Sequence, residues 1–211
     1  MRLKQMNDQI LLRRHSEDDE KMRIIAGAAR GRNLLTPANI TRPTSDRARE
    51  GIFSSLTSEL GTWDGVAFLD LFAGTGAVGL EALSRGAEVV ESVEKDPQAL
   101  QICRDNFEII SRGLVELGKF CAHGGAVNTF IRSASGNPFN VIFLDPPYEF
   151  TNEDIENILT ALTTSSLLAP AAIVAVERPS RNSPFAWPAG FTASKERKYG
   201  EALVYFASVS L

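Results

Sequence analysis

The 211-residue sequence predicts an α/β protein built on a mostly parallel sheet with helices on both faces. Three observations predict it. From Gly65 onward, short apolar runs alternate with segments of helical period. The first run ends in a glycine-rich stretch that opens a helical segment, Asp70-Leu71-Phe72-Ala73-Gly74-Thr75-Gly76-Ala77-Val78-Gly79. The fourth run, Val141-Ile142-Phe143-Leu144, ends on Asp145-Pro146-Pro147-Tyr148.

The elements follow in order. Residues 1–21 are polar, mixed in charge and without sustained period, and read as a disordered or loosely attached extension, with Met22 a plausible alternative start. Residues 23–27 and 32–36, around Ala28–Gly31, read as a β-hairpin with a glycine-containing turn. A helix capped near Thr44 or Ser45 comes next. Its apolar residues Ala48, Ile52, Phe53, Leu56 and Leu60 recur at helical spacing, which leaves Arg47 and Arg49 to face elsewhere. Strands are expected at 66–71, 88–94, 114–121, 140–145 and 171–177, and helices at 77–85, 97–111, 126–133 and 152–163. Segment 181–190, with Pro184, Trp187 and Pro188, is a loop. Residues 191–198 and 202–209 flank Tyr199-Gly200-Glu201 as an antiparallel hairpin. The expected organisation is an extension at 1–21, a basic hairpin and helix at 22–60, and the α/β domain at 61–211.

Composition excludes several classes. No apolar run approaches the roughly 18–20 residues of a membrane span, and the charged N-terminus lacks the apolar core of a signal peptide. Cys103 and Cys121 make no disulfide or zinc pattern and read as reduced, buried thiols of a cytoplasmic protein. With two histidines and no ligand cluster, no metal is expected. The net charge of −4 argues against a general nucleic-acid binder. Yet Met22 to Arg49 holds six arginines and one acid, a local net of +5, leaving about −9 for the rest. A basic entry segment on an acidic domain suits a face that meets phosphate, and a solvated arginine-rich hairpin explains the pattern equally well.

Gly74-x-Gly76-x-x-Gly79 has the nucleotide-binding spacing and sits between an expected strand and helix. Glycine there lets backbone approach a ligand closely. Glu94 lies twenty residues beyond Gly74, where a carboxylate can take both hydroxyls of a ribose. NAD and S-adenosylmethionine (SAM) compete for such a site. NAD would set its pyrophosphate on the helix N-terminus. Asp70, just before the glycines, repels a pyrophosphate and suits the ammonium of a methionyl group, which favours SAM. Asp70 could also simply cap the loop.

Asp145-Pro146-Pro147-Tyr148 suits chemistry on the exocyclic amine of a nucleobase. Such an amine is planar and a poor nucleophile, because its lone pair is delocalised. Two acceptors can hold its hydrogens and aim the lone pair at an electrophile. The Asp145 carboxylate and a proline carbonyl could be those acceptors, and the ring-locked φ would keep the carbonyl rigid. Tyr148 can stack on the base. The plainer alternative is an Asp cap, a proline stop and an aromatic over the sheet edge.

Together, Asp70-x-Phe72-x-Gly74-x-Gly76, Glu94 and Asp145-Pro146-Pro147-Tyr148 resemble the amino-directed class I SAM methyltransferases. Arg23-Ile24-Ile25-Ala26-Gly27, Gly31-Arg32, Thr41-Arg42-Pro43-Thr44-Ser45-Asp46-Arg47-x-Arg49-Glu50-x-x-Phe53 and Gly79-Leu80-Glu81-Ala82-Leu83-Ser84-Arg85-Gly86 resemble the bacterial 16S rRNA (guanine-N2)-methyltransferase family of the RsmD type. The resemblance runs from Met22 to the end. It implies a Rossmann-like, seven-stranded sheet with one antiparallel strand. It implies SAM as cofactor, held by Asp70, Phe72, Ala73, Gly74, Gly76, Glu94 and Lys95, with Gly125 and Ala126 at the adenine. It implies that Asp145, Pro146, Pro147 and Tyr148 hold the amine of a guanine in 16S rRNA, in assembled 30S subunits or late precursors. The chain departs from many relatives at His123-Gly124-Gly125-Ala126, where Gly125 offers backbone but no polar side chain. Only 63 residues follow Tyr148, too few for a separate recognition domain, so Arg30, Arg32, Arg42 and Arg47 are expected to contact RNA. A monomer in the cytoplasm, bound to no metal or membrane, completes the expectation. The competing readings are a DNA adenine-N6 or cytosine-N4 methyltransferase, an RNA-binding assembly factor without chemistry, and a dehydrogenase.

Overall fold

The computed structural model describes residues 22–36, 46–134 and 136–210. The expected extension at 1–21, the cap at Thr44 or Ser45 and the site residue Arg42 lie outside the described residues. Seven strands form one sheet: β1 (Ala67–Asp70), β2 (Val89–Glu94), β3 (Lys119–Gly124), β4 (Phe139–Leu144), β5 (Leu168–Pro179), β6 (Phe191–Tyr199) and β7 (Ala202–Val209). Their order is β3-β2-β1-β4-β5-β7-β6. The first five strands are parallel, and β7 pairs antiparallel with both β5 and β6. The expected single antiparallel strand is therefore β7. Five helices occur among the described residues: α1 (Asp46–Leu60), α2 (Ala77–Ser84), α3 (Pro97–Ser111), α4 (Val127–Ser133) and α5 (Asn152–Thr163).

Alternation along the strands creates two cores. Phe68 and Phe143 point to one face, with Ile52, Phe53 and Leu80 of α1 and α2. Leu69 and Ile142 point to the other, with Ile158 and Leu159 of α5. Helix starts are encoded locally. Asp96 accepts from the Gln98 and Ala99 amides at 3.0 and 2.8 Å, with Pro97 at the first helical position. Thr151 and Asp154 form a capping box at α5.

Three expectations change. The third strand begins at Lys119 rather than 114. A Cβ on Gly118 would lie 2.2 Å from the Ala87 carbonyl, so the chain must pass that backbone before it can pair. Leu114 and Leu117 pack on the core from the preceding loop, Val115 is exposed, and Cys121, expected to be buried, is exposed because this strand is a sheet edge. The fifth strand is longer than 171–177, because a register shift opposite Phe139 and Val141, with Ala171 at φ 57, carries pairing back to Leu168. Arg49 does not face away from the core. It is fully buried, and its Nη2 donates to the Arg23 carbonyl and to Asp46 Oδ1.

The expected N-terminal hairpin forms around an antiparallel bridge of Arg23 and Asn33, with Ile24 donating to the Arg32 carbonyl at 3.0 Å and Leu34 to the Met22 carbonyl at 2.8 Å. Amides nearer its turn go to α2. Ile25 and Ala26 donate to Glu81 Oε2 and Oε1 at 2.7 and 3.0 Å. Ala29 donates to Ser84 Oγ at 2.9 Å, and that hydroxyl donates to the Ala26 carbonyl at 2.6 Å. Only glycine fits at position 27, where a Cβ would sit 1.7 Å from the Ser84 carbonyl oxygen. The Gly79-to-Gly86 stretch is thus the dock for residues 25–29. Met22, Ile24, Ala29 and Leu34 join the same core as Phe68 and Leu80, as do Ile52, Phe53 and Leu56 of α1.

Candidate active site

Strands β2 and β3 extend the sheet to one side of β1, and β4 and β5 extend it to the other. A crevice must open beyond the carboxyl ends of β1 and β4, where the winding reverses. Asp70 is the last residue of β1, and Asp145 follows the last residue of β4. Both line one cleft of about 1140 Å3. Every expected cofactor residue except Gly76 lines this cleft, and so does all of 145–148. Tyr148 is 63% exposed, Pro146 is buried and Pro147 is half-buried. The aromatic is therefore presented while the prolines are held.

Asp70 is buried. Its Oδ2 accepts from the Gly79 amide at 3.3 Å, and its Oδ1 is buried without a hydrogen-bond partner. Burial, reinforced by the nearby Asp145 and Glu94 charges, pushes its carboxyl up to about 7. A buried acid with an unused oxygen at a cleft is a seat for a cation. Glu94 is fixed by the loop it serves: Oε2 accepts from the Gly74 amide at 2.8 Å and Oε1 from the Asp96 amide at 2.7 Å. Its remaining lone pairs can take hydroxyl donors. A Cβ at Gly74 or Gly125 would meet no atom within 4 Å, so both leave open space at the cleft wall. An ammonium seat, a carboxylate at the second strand end and bare backbone opposite suit a nucleoside carrying an amino acid, as SAM does.

A family model described as conserved hypothetical protein 95 matches residues 22–208. Ribosomal RNA small subunit methyltransferase D of Escherichia coli K12 is 32% identical over 182 residues, 86% of each chain. The chain belongs to the ribosomal RNA small subunit methyltransferase D family. The same-named protein of Haemophilus influenzae is 31% identical over 192 residues, covering 85% of this chain and 90% of that one. Among solved structures, a putative methyltransferase, yhhF, from Escherichia coli is 30% identical with a TM-score of 0.75, covering 90% of this chain and 98% of its own.

Within this methyltransferase D family member, Gly76 sits beneath the cleft rather than in its wall. It precedes α2 at φ 83, and a Cβ there would lie 2.5 Å from Cys103 Sγ. Gly76→Val combines a left-handed backbone, worth about 1–3 kcal/mol for a side chain, with overpacking of about 1–3 kcal/mol. The expected outcome is a lowered melting temperature together with loss of SAM binding by calorimetry. A variant that melts and binds like wild type would show that the loop tolerates the clash.

The four expected RNA contacts are scattered. Arg32 Nη1 donates to the Ile109 and Ile110 carbonyls at 3.0 and 2.8 Å, which caps the end of α3. Its guanidinium thus has an internal role. Arg30 lines a separate groove of about 620 Å3 beside Arg85 of the α2 end. Arg47 is exposed on α1, and Arg42 lies outside the described residues. Sequence reasoning missed Asn106. Its Nδ2 donates to the Thr75 and Leu35 carbonyls at 3.0 and 3.1 Å, and its Oδ1 accepts from the Leu35 amide at 2.7 Å. It ties the glycine loop to the N-terminal segment, a role invisible in a single helical asparagine. Arg178 and the 199–202 turn also line the cleft. The position of Arg178 at a third parallel strand end was the available signal.

Proposed function

We propose that the protein transfers a methyl group from SAM to the exocyclic N2 amine of a guanine in 16S rRNA, within assembled 30S subunits or late precursors. The observation that carries this reading is that the acidic, glycine-walled pocket and Asp145-Pro146-Pro147-Tyr148 share one cleft. SAM, when bound, supplies an electrophilic methyl on a sulfonium, so catalysis reduces to positioning the nucleophile. Asp70 holds the ammonium, and Glu94 takes the ribose hydroxyls. The backbone at Gly125 and Ala126 faces the adenine, and Lys95 flanks it. The Asp145 carboxylate and a proline carbonyl accept the two amine hydrogens, which turns the nitrogen lone pair toward the methyl. The nitrogen becomes acidic as the bond forms, and its proton passes to Asp145 or water. Tyr148 stacks on the base, which must leave its helix or loop to enter.

The test incubates labelled SAM with 30S particles, free 16S rRNA and duplex DNA. Label in 30S particles, recovered as N2-methylguanine, is expected. Label confined to DNA would turn the assignment to adenine-N6 or cytosine-N4, and no transfer at all would leave a binding protein. Arg30 and Arg47 supply exposed charge for the RNA backbone. Replacing both with Gln is expected to weaken 30S binding, to lower the slope of log affinity against log salt by about 1–2, and to leave SAM affinity unchanged. An unaltered slope would move RNA recognition off this segment.

A further inference from the structure

We infer that Arg178 is the positioning residue that holds the Asp145-to-Tyr148 turn in its reactive shape, an inference that rests on the methyl-transfer reading above. Strand β5 runs beside β4 with Val176 opposite Leu144. Arg178 therefore lies just past that pair, alongside the turn. Its residue is 3% exposed and lines the cleft. Nη2 donates to the Phe150 carbonyl. The Phe150 amide in turn donates to the Pro147 carbonyl at 3.0 Å, which closes the turn. The Phe150 ring meets Phe72 of the glycine loop edge-on at 5.3 Å. One guanidinium thus anchors the far end of the turn, and the ring joins that turn to the cofactor side of the cleft. Its charge is faced by the carboxylates of Asp145 and Asp154 and by Tyr205.

Arg178 is a poor choice for stability alone. Its Nε and Nη1 are buried with no hydrogen-bond partner, and unsatisfied buried donors weaken a fold. An apolar side chain of similar length would fill the space without that penalty. A residue kept for packing would not carry these donors, whereas a residue kept for its grip on the Phe150 carbonyl must.

The experiment compares wild type, Arg178→Met and Arg178→Lys for melting temperature, SAM affinity and steady-state methylation of 30S particles. Arg178→Met is expected to melt at or above the wild-type temperature and to bind SAM within twofold. Its kcat is expected to fall at least tenfold, while KM for 30S stays within threefold. Arg178→Lys, which keeps a charge and a donor, is expected to recover at least threefold of the lost kcat. A kcat for Arg178→Met within threefold of wild type overturns the inference, and so does a Lys variant no better than Met. Should Arg178→Met not fold, Arg178→Lys decides alone. Its kcat must then lie at least threefold below wild type at unchanged SAM affinity, and wild-type kcat overturns the inference. Wild-type protein that methylates no substrate would instead sink the underlying reading.

Discussion

Asp145→Ala is expected to lose methyl transfer by about 10²–10⁴-fold while its dissociation constant for SAM changes less than about twofold. The size follows from two losses. An exocyclic amine reacts only when its hydrogens are held and its lone pair is turned out of the ring, and misplacing reacting groups by about 1 Å can cost about 10²-fold. Removing the group that accepts the departing proton adds a share of the usual 10²–10⁴-fold for acid–base assistance. The selectivity follows from placement. Asp145 stands at the end of β4, whereas the groups suited to SAM sit on the β1 and β2 loops and after β3. Asp145→Asn keeps one carbonyl acceptor without the charge, so it is expected to fall between wild type and Ala. Single-turnover methylation of 30S particles, with calorimetry for SAM, separates the effects. Near-normal turnover by Asp145→Ala would remove the proposed chemistry, and a matching loss of SAM affinity would make Asp145 a cofactor residue.

How far the sequence carried the fold depends on which force set each element. Strands β1, β2 and β4 were legible because they lie in the middle of a parallel sheet, where both faces are buried and runs such as Val141–Leu144 must be apolar. Strand β3 is an edge, so its composition carries little signal. Its start is set by backbone crowding at Gly118, which no periodicity reports. The N-terminal hairpin was legible in its glycine turn and β-branched residues, and Ile24 and Leu34 make its cross-strand bonds. No periodicity reports that Glu81 and Ser84, more than fifty residues later, take the amides of Ile25, Ala26 and Ala29. The cleft was legible because strand ends and winding reversal place ligands by topology. Arg32 and Gly76 show the limit: Arg32 was grouped with the RNA contacts by local charge and Gly76 with the cofactor residues by motif, and each also supports an element beneath the cleft.

Asp70→Asn is expected to weaken SAM about 10–100-fold, since a hydrogen bond to a charged group contributes about 1.5–3 kcal/mol. The same change makes the ligand-free protein more resistant to unfolding above pH 7, because opposite pH trends meet in this one carboxyl. Its folded-state value is raised to about 7 against an ordinary 3.8. Between those values the folded chain holds a proton that the unfolded chain has lost. Stability owed to this group is therefore fully present below about pH 4 and declines as pH rises to about 7, at up to about 1.4 kcal/mol per pH unit. Asn carries no such proton, so the stability gap between the variant and wild type is expected to widen across that range and then level off. An Asn side chain buries an amide donor, which offsets about 1–3 kcal/mol of the gain. Cofactor binding runs the other way. An ammonium needs the ionised carboxylate, so SAM affinity of the wild type is expected to rise with pH up to about 7, with a proton released below it, and this carboxyl's contribution should vanish in the variant. Calorimetry in two buffers of different ionisation enthalpy reads the proton, and thermal melts across pH read the stability gap. If neither the proton nor the gap depends on Asp70, the buried carboxyl is a loop cap. If both do, the protein tolerates a buried acid at the end of β1 because the cofactor's cation completes it.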